Sequence, residues 1–309
     1  MSQIPRCQIV PGPNRTASFQ IDGMEKLCWN FDASYSRPFF YPVLSASGMN
    51  LVRMGHPGAS NHDHHRGIWF AHHSVAGMDF WTEGAGTQIL QNQWLAYLDD
   101  DQYAAMAVEC SFLDGHDAIP LLNQQIIAVI SPLKQGAYTL ELQTTLTPSS
   151  PSIVLQQTNF GILAVRMAAN LSAHFGGGTI TNHSGKTGEP ALFGKSARYI
   201  DYSGPVRNMP GASATQIAGI TYYDHQDNIN YPSKWHVRED GWMGASVCRD
   251  GDVTINSNAP LVLRYLLHIH DGPIDHIFAR TLQQQFHEQP HWQIRKSTRK
   301  HRQFDIVTE

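Results

Sequence analysis

The chain has 309 residues, is 41% hydrophobic and carries Trp 7, Tyr 11 and Phe 13, enough apolar surface to offset chain entropy and exclude a disordered or low-complexity protein. Lys+Arg 22 against Asp+Glu 26 gives a formal net charge of −4, which leaves no global basic field to draw nucleic acid or anionic lipid. No apolar run reaches the roughly 20 residues of a membrane helix. The start, Met1 to Cys7, has no basic and then apolar leader, and Cys7, Cys28, Cys110 and Cys248 form no CxxC pair, so a soluble cytoplasmic protein with reduced cysteines is expected.

In chain order the elements read as strands. Phe19 to Ile21 and Leu27 to Phe31 flank an Asp22-Gly23 turn, followed by runs at Gln88 to Leu98 and Tyr103 to Phe112. Gln124 to Ile130 joins the next strand through a turn at Pro132 to Gly136, which predicts an antiparallel hairpin. In that next strand Tyr138, Leu140, Leu142 and Leu146 alternate with Thr139, Glu141, Gln143 and Thr147, so one buried and one wet face is expected. Further strands are expected at Ile153 to Gln157, Ala197 to Tyr202, Thr215 to Tyr223 and Leu261 to Ile269.

One helix stands apart. Ile274, Ile277, Phe278, Leu282 and Phe286 share a face at 3.6 residues per turn, with Pro273 suited to the first helical position. The tail from Arg295 to Arg302 holds five of the 22 basic residues and is read as a solvated terminal strand or extension rather than a nucleic-acid contact. With no repeat, compositional break or linker, residues 1–309 are expected to form a single mainly β domain, the N-terminal strands 1–36 and the C-terminal extension 290–309 included. Many antiparallel strands with one C-terminal helix predict a large sandwich or barrel.

The densest chemistry lies between His56 and His73, where six of the 17 histidines fall. If His62 to His65 is extended, His62 and His64 project to one face and Asp63 and His65 to the other. Imidazole suits transition metals and also proton transfer near neutrality. Arg66 would clamp a carboxylate or hydroxyl pair. The alternative is a hydrogen-bonded polar loop bracing Trp69 and Trp81. Downstream, Gly77 to Gly84 sets Asp79 and Glu83 beside aromatic rings, a combination that lines sugar sites, whose ligands have apolar CH faces and polar rims.

For a metal, HxHH is not a zinc spacing and further ligands would have to come from His174, His183, His225, His236, His268 or His270. Arg66 alongside would repel a cation. No metal or other cofactor is therefore expected. GxxxxGK[ST], GxGxxG and GxSxG are all absent, so nucleotide, nicotinamide and α/β-hydrolase chemistry have no motif.

The order Arg37 to Pro42, His64-His65-Arg66-Gly67-Ile68-Trp69-Phe70, Gly77 to Trp81, Phe193-Gly194-Lys195, Tyr199 to Tyr202, Asn228 to Trp235 and His270-Asp271-Gly272 resembles the PmoA-like family, the domain of unknown function 6807. The segment Asn61-His62-Asp63 departs from the family's more usual His-Pro. The resemblance implies a large antiparallel β-sandwich similar to the sugar-binding supersandwich of galactose mutarotases. The label also suggests a methane oxygenase subunit, an integral membrane protein, whereas this chain has no membrane span.

Taken with the residues, the expected function is a carbohydrate-active enzyme of lyase, hydrolase or epimerase type acting on a small-molecule sugar or oxidised sugar. His64 or His65 would be acid or base, Arg66 would hold the substrate, and Asp79 and Glu83 are further catalytic candidates. Trp69, Trp81, Lys195 and His236 are candidate substrate-binding residues. The alternatives are a non-catalytic carbohydrate-binding sandwich and, by label only, an oxygenase-related protein.

Overall fold

A computed structural model describes residues 4–55, 62–206 and 216–309. His56 and Thr215, named above, lie outside the described residues. In chain order the strands begin with β1 (Cys7–Gly12), β2 (Thr16–Ile21), β3 (Met24–Asn30), β4 (Phe39–Val43), β5 (Ile68–His72), β6 (Gln88–Asp99), β7 (Ala104–Leu113), β8 (Leu122–Pro132), β9 (Tyr138–Pro148) and β10 (Ser152–Leu155). They continue with β11 (Gly161–Arg166), β12 (Thr179–Asn182), β13 (Tyr199–Val206), β14 (Gln216–Asp224), β15 (Lys234–Arg238), β16 (Trp242–Ser246), β17 (Val253–Asn256), β18 (Leu261–Asp271), β19 (Trp292–Lys296) and β20 (Phe304–Thr308). The α-helices are α1 (Ala173–Gly176), α2 (Glu189–Leu192) and α3 (His276–Glu288).

Two eight-stranded antiparallel sheets make a β-sandwich. The first runs β1-β2-β3-β4-β5-β11-β16-β15 and the second β12-β13-β14-β18-β9-β8-β7-β6, with β10-β17 and β19-β20 as separate pairs. Local chemistry sets the first hairpin: Asp22 (φ 53°) and Gly23 (φ 74°) both take positive φ between the paired Ile21 and Met24, as a two-residue turn of this twist requires. One apolar cluster fills the space between the sheets, with Phe19, Leu27, Ile68 and Val165 from the first meeting Met106, Ile126, Leu140 and Ile269 from the second. The Tyr138 hydroxyl crosses between them, 3.0 Å from the Lys26 carbonyl oxygen and 2.9 Å from that of Leu44. All four cysteines are buried and unpaired with one another.

The structure corrects two sequence expectations. β9 does not have a wet face, since Thr139, Glu141 and Gln143 are 5–7% exposed. Helix α3 packs Ala279, Leu282 and Phe286 on Tyr199, Tyr223 and Leu266. The β19-β20 hairpin sets Ile306, Trp292 and Ile294 against Ala105, Ala107, Ile127 and Val129. Together they add a third layer over the outer face of the second sheet, which the strand periodicity alone could not report.

The second correction concerns α3 itself. It begins at His276, with the Asp275 side chain accepting from the backbone of Ile277 and Phe278 at 2.8 and 3.1 Å. A carboxylate that satisfies two free N–H groups is the better start signal, and Pro273 lies ahead of the cap. Ile277 and Phe278 are 72% and 41% exposed, so they are not on the buried stripe. The basic tail forms the β19-β20 hairpin, where Arg295 pairs with Glu309 and Arg299 with Asp305. Among the described residues no helix is long and apolar enough to cross a membrane.

Candidate functional site

The histidine segment is a turn and not the extended stretch expected. The His65 amide bonds the His62 carbonyl at 3.1 Å, so the side chains do not alternate. The ring centroids of His64 and His65 lie 4.3 Å apart and those of His62 and His65 5.1 Å apart. The chain then enters β5 through Gly67, whose φ is +57° and whose added Cβ would lie 2.1 Å from the Phe40 carbonyl oxygen. Its amide bonds Arg53 at 2.9 Å, and its carbonyl accepts from Arg166 at 2.8 Å. Only glycine fits this approach. Gly67→Ala should lower stability by about 2 kcal/mol or more, and a melting temperature equal to that of wild type would show that the turn can relax.

β5 delivers Trp69 to a row that crosses five strands. Phe39, Trp69, Ala164, Gly244 and His236 are successive ladder partners on β4, β5, β11, β16 and β15, and partners in a ladder share one face. Two positions along, Trp242 pairs with both Arg166 and Arg238 and alternates onto the same face. The neighbouring residue Trp235 points the other way, packing on Tyr222 of the second sheet at 4.8 Å. The row therefore lies on the outer face of the first sheet. The small residues Ala164 and Gly244 let large rings lie across it, with the Trp242 indole at 3.6 Å from the Gly244 Cβ position.

These rings touch one another. Trp242 stands 5.0 Å from His65, 5.4 Å from Trp69, 5.4 Å from Trp81 and 5.8 Å from His236. Phe160 bridges Trp81 at 5.5 Å and His236 at 5.1 Å. His65 Nδ1, Trp69 Nε1, Trp242 Nε1 and His236 Nδ1 are buried without a hydrogen-bond partner among the described residues. Nearly all buried polar atoms find a partner; unpartnered ones also occur elsewhere, as at Gln124, Tyr223 and Tyr265, but here four fall on rings in contact with one another.

Burial, followed by the neighbouring His64, Arg166, His62 and Arg53, holds the His65 ring far below its ordinary pKa. Burial and then Arg238 and Arg249 bring His236 down to about 4. Both rings are neutral at pH 7 and can donate from one nitrogen and accept at the other.

The remaining candidates divide. His64 is buried at the turn, and its carbonyl accepts from the Arg37 guanidinium at 3.4 Å. Arg37 also donates to the Trp81 carbonyl at 2.6 Å, and burial lowers its pKa to about 10. Arg66 donates to both Glu83 oxygens at 2.8 and 3.0 Å, with its guanidinium 4.9 Å over the Tyr35 ring and 5.9 Å over the Phe39 ring at the end of the row. Asp79 is a turn acceptor, taking the amides of Trp81 (2.7 Å) and Thr82 (3.1 Å) and the Thr82 hydroxyl. Burial works to raise its pKa, yet these bonds keep it below the usual carboxylate range. Trp69 and Trp81 are 1% and 3% exposed, and Lys195 is exposed without a ring contact to the cluster.

Sequence reading missed Trp242, Phe160 and the charged group beneath them. Arg166 donates to both Asp240 oxygens at 3.0 and 2.9 Å. Arg53 donates to the Asp240 carbonyl at 3.0 Å and lies 5.9 Å over the Phe175 ring, its pKa lowered to about 10 by burial and then by Arg166. A groove of about 660 Å³ lined by Phe175, Phe193, Arg238 and Asp240 opens here, and Phe193 touches His236 at 5.3 Å. The only sequence cue was Trp242 two residues before Gly244, a large ring beside the gap it needs. Among the described residues no group of three His, Cys, Asp or Glu side chains is arranged to hold a metal ion.

Fold and site together define a β-sandwich protein that carries a buried aromatic and histidine cluster on the outside of one sheet. The chain belongs to the family of unknown function DUF6807, whose model matches residues 16–284. No curated protein matches it by sequence. Among solved structures it is similar to a GalM/aldose epimerase homologue from C. elegans, with 6% identity, 87% of this chain and 100% of that chain covered, and a TM-score of 0.34. At that level the likeness brings neither an activity nor a site across.

Proposed function

We propose that the protein is a carbohydrate-active enzyme of lyase, hydrolase or epimerase type, and that its substrate, a sugar or oxidised sugar, is received by the ring cluster on the outer face of the first sheet. The observation that carries this reading is the set of four buried ring nitrogens without partners on four rings in contact. Phe160, 36% exposed and in contact with Trp81 and His236, would take the CH face of a pyranose, and the unsatisfied nitrogens would bond its hydroxyls once the buried rings part.

Arg53 and Arg166 favour an oxidised sugar, against Glu189, Glu239 and Asp240 in the neighbouring groove. Arg53 and Arg166 both push against a proton on His65, and an arriving carboxylate would offset that field. It would raise the His65 pKa toward the range of a useful base. Arg53 would bind the carboxylate and stabilise the charge that develops when the adjacent carbon loses its proton. The resemblance to the PmoA-like family adds no residue role to this reading.

A non-catalytic carbohydrate-binding protein is the second reading. It is favoured by the separate environments of His65 and Arg66 and by the use of Asp79 as a turn acceptor.

Calorimetric titration tests the site. Glucuronate should bind about ten-fold more tightly than glucose, Arg53→Gln should erase the preference, and Trp242→Ala should remove both. Absence of heat from either sugar at millimolar concentration would sink the proposal. Turnover on a panel of glycosides and uronates separates the two readings: wild type active and His65→Ala inactive supports the enzyme, whereas identical traces leave the binding protein.

A further inference from the structure

The groove beside the ring cluster is built by three segments that hold one another. The turn between β15 and β16 carries Glu239 and Asp240. The Glu239 carbonyl accepts from the His174 amide and from the Tyr202 hydroxyl, both at 2.8 Å, and the Glu239 amide donates to Glu189 Oε2 at 2.8 Å. The turn is thereby tied to α1 on one side and to α2 on the other. Ser172 caps α1 by accepting from the Phe175 amide at 3.0 Å, and Pro190 opens α2, where a missing N–H costs nothing. These ties set Phe175, from α1, and Phe193, from just past α2, into the lining of one groove.

This lining is open where the ring cluster is closed. Phe175 is 51% exposed and Phe193 is half-buried, against 1% and 3% for Trp69 and Trp242. The polar part of the lining is rich in acceptors. Arg238 pairs with Glu189 at 3.0 Å and Arg166 with Asp240 at 2.9 Å, whereas the exposed Glu239 has no ion-pair partner among the described residues. A carboxylate only accepts hydrogen bonds, so three of them in one groove suit a ligand rich in hydroxyl donors. A second anion would meet like charge there.

Groove and cluster meet at two points. Phe193 touches His236 at 5.3 Å, and Arg53, the residue assigned above to a sugar carboxylate, lies 5.9 Å over the Phe175 ring. Resting on that sugar reading, we propose that the groove receives a second, neutral sugar ring, so that the ligand is a disaccharide of one uronate and one hexose. The exposed Phe175 face takes the CH face of the hexose, and Glu239 and its neighbours accept from its hydroxyls. The groove, at about 660 Å³, falls in the range of small-molecule sites. The glycosidic linkage then lies at the boundary marked by Phe193 and His236.

Calorimetry on the full chain tests this. Methyl β-glucuronide, which ends at the linkage, is compared with two disaccharides in which glucuronate is joined to glucose through its own C1 or through its O4. At least one disaccharide should bind about ten-fold more tightly than the methyl glycoside. Phe175→Ala and Glu239→Ala should each cut that ratio by about three-fold or more, and since both side chains are exposed both variants should fold. A loss in either variant supports the second ring. A ratio near one in wild type, or a ratio that neither substitution changes, overturns it and leaves the sugar reading standing, because methyl glucuronide still binds. No heat from any of the three sugars at millimolar concentration overturns both.

Discussion

Glu141→Gln should destabilise the protein by about 3–5 kcal/mol, the usual effect of removing one member of a buried ion pair. Arg264 and Glu141 are 1% and 5% exposed, with the guanidinium donating to Glu141 Oε1 at 2.6 Å. The same guanidinium donates to the carbonyls of Gln289 (3.0 Å) and Pro290 (3.3 Å), just past the end of α3. Asn228 closes the network, accepting from the Arg264 amide and donating to its carbonyl, both at 2.7 Å. Loss of the carboxylate would leave a buried cation with only neutral partners, the two carbonyls and the His225 Nε2 at 3.3 Å, and would loosen the attachment of α3. The double variant Glu141→Met/Arg264→Met should recover most of the loss, because an apolar pair of similar volume carries no desolvation penalty. Urea unfolding decides it: a single variant within about 1 kcal/mol of wild type would mean that the pair does not hold the third layer.

Stability should fall steeply as pH drops from about 6.5 to 4. Burial lowers His72, His225 and His236 to about 4 and His268 to about 3, and puts His65 lower still. In the unfolded chain these rings titrate near 6.5. A depressed histidine contributes stability that is present above the unfolded value and lost as pH falls toward the folded one, since the unfolded state takes up the proton first.

Asp224 opposes this. Burial raises it to about 6, so its contribution is full below the unfolded aspartate value and fades as pH rises through 6. His270, also raised, is fully stabilising below 6.5 and so adds no acid lability. The five buried histidines, offset by the buried Asp224, give a slope on the order of 5 kcal/mol per pH unit at its steepest, comparable with the whole stability of many domains; the less buried His183 and His287 act in the same direction and Asp271 against it. The urea midpoint should therefore collapse between pH 7.5 and 5.0, and an unchanged midpoint would mean that the rings are solvated in the native state.

Period-two alternation in Tyr138 to Leu146 and the Asp22-Gly23 turn are local signals, and each specified its strand or hairpin because backbone sterics and one buried face act within a few residues. The density of histidines before Trp69 likewise located the candidate site. What the sequence left open was pairing across long separations. Trp69 and His236 share a face only because β11 and β16 lie between β5 and β15, and Trp242 enters through that same register. Nor could alternation reveal that Glu141 is covered, since the covering layer is built from residues some 140 positions downstream. The sequence by itself determined a strand-rich sandwich or barrel, its one long helix and the histidine segment, all through local periodicity and residue chemistry. Tertiary structure alone decided which rings meet, which charges are paired and which histidines stay neutral, because those follow from burial and contact between segments far apart in the chain.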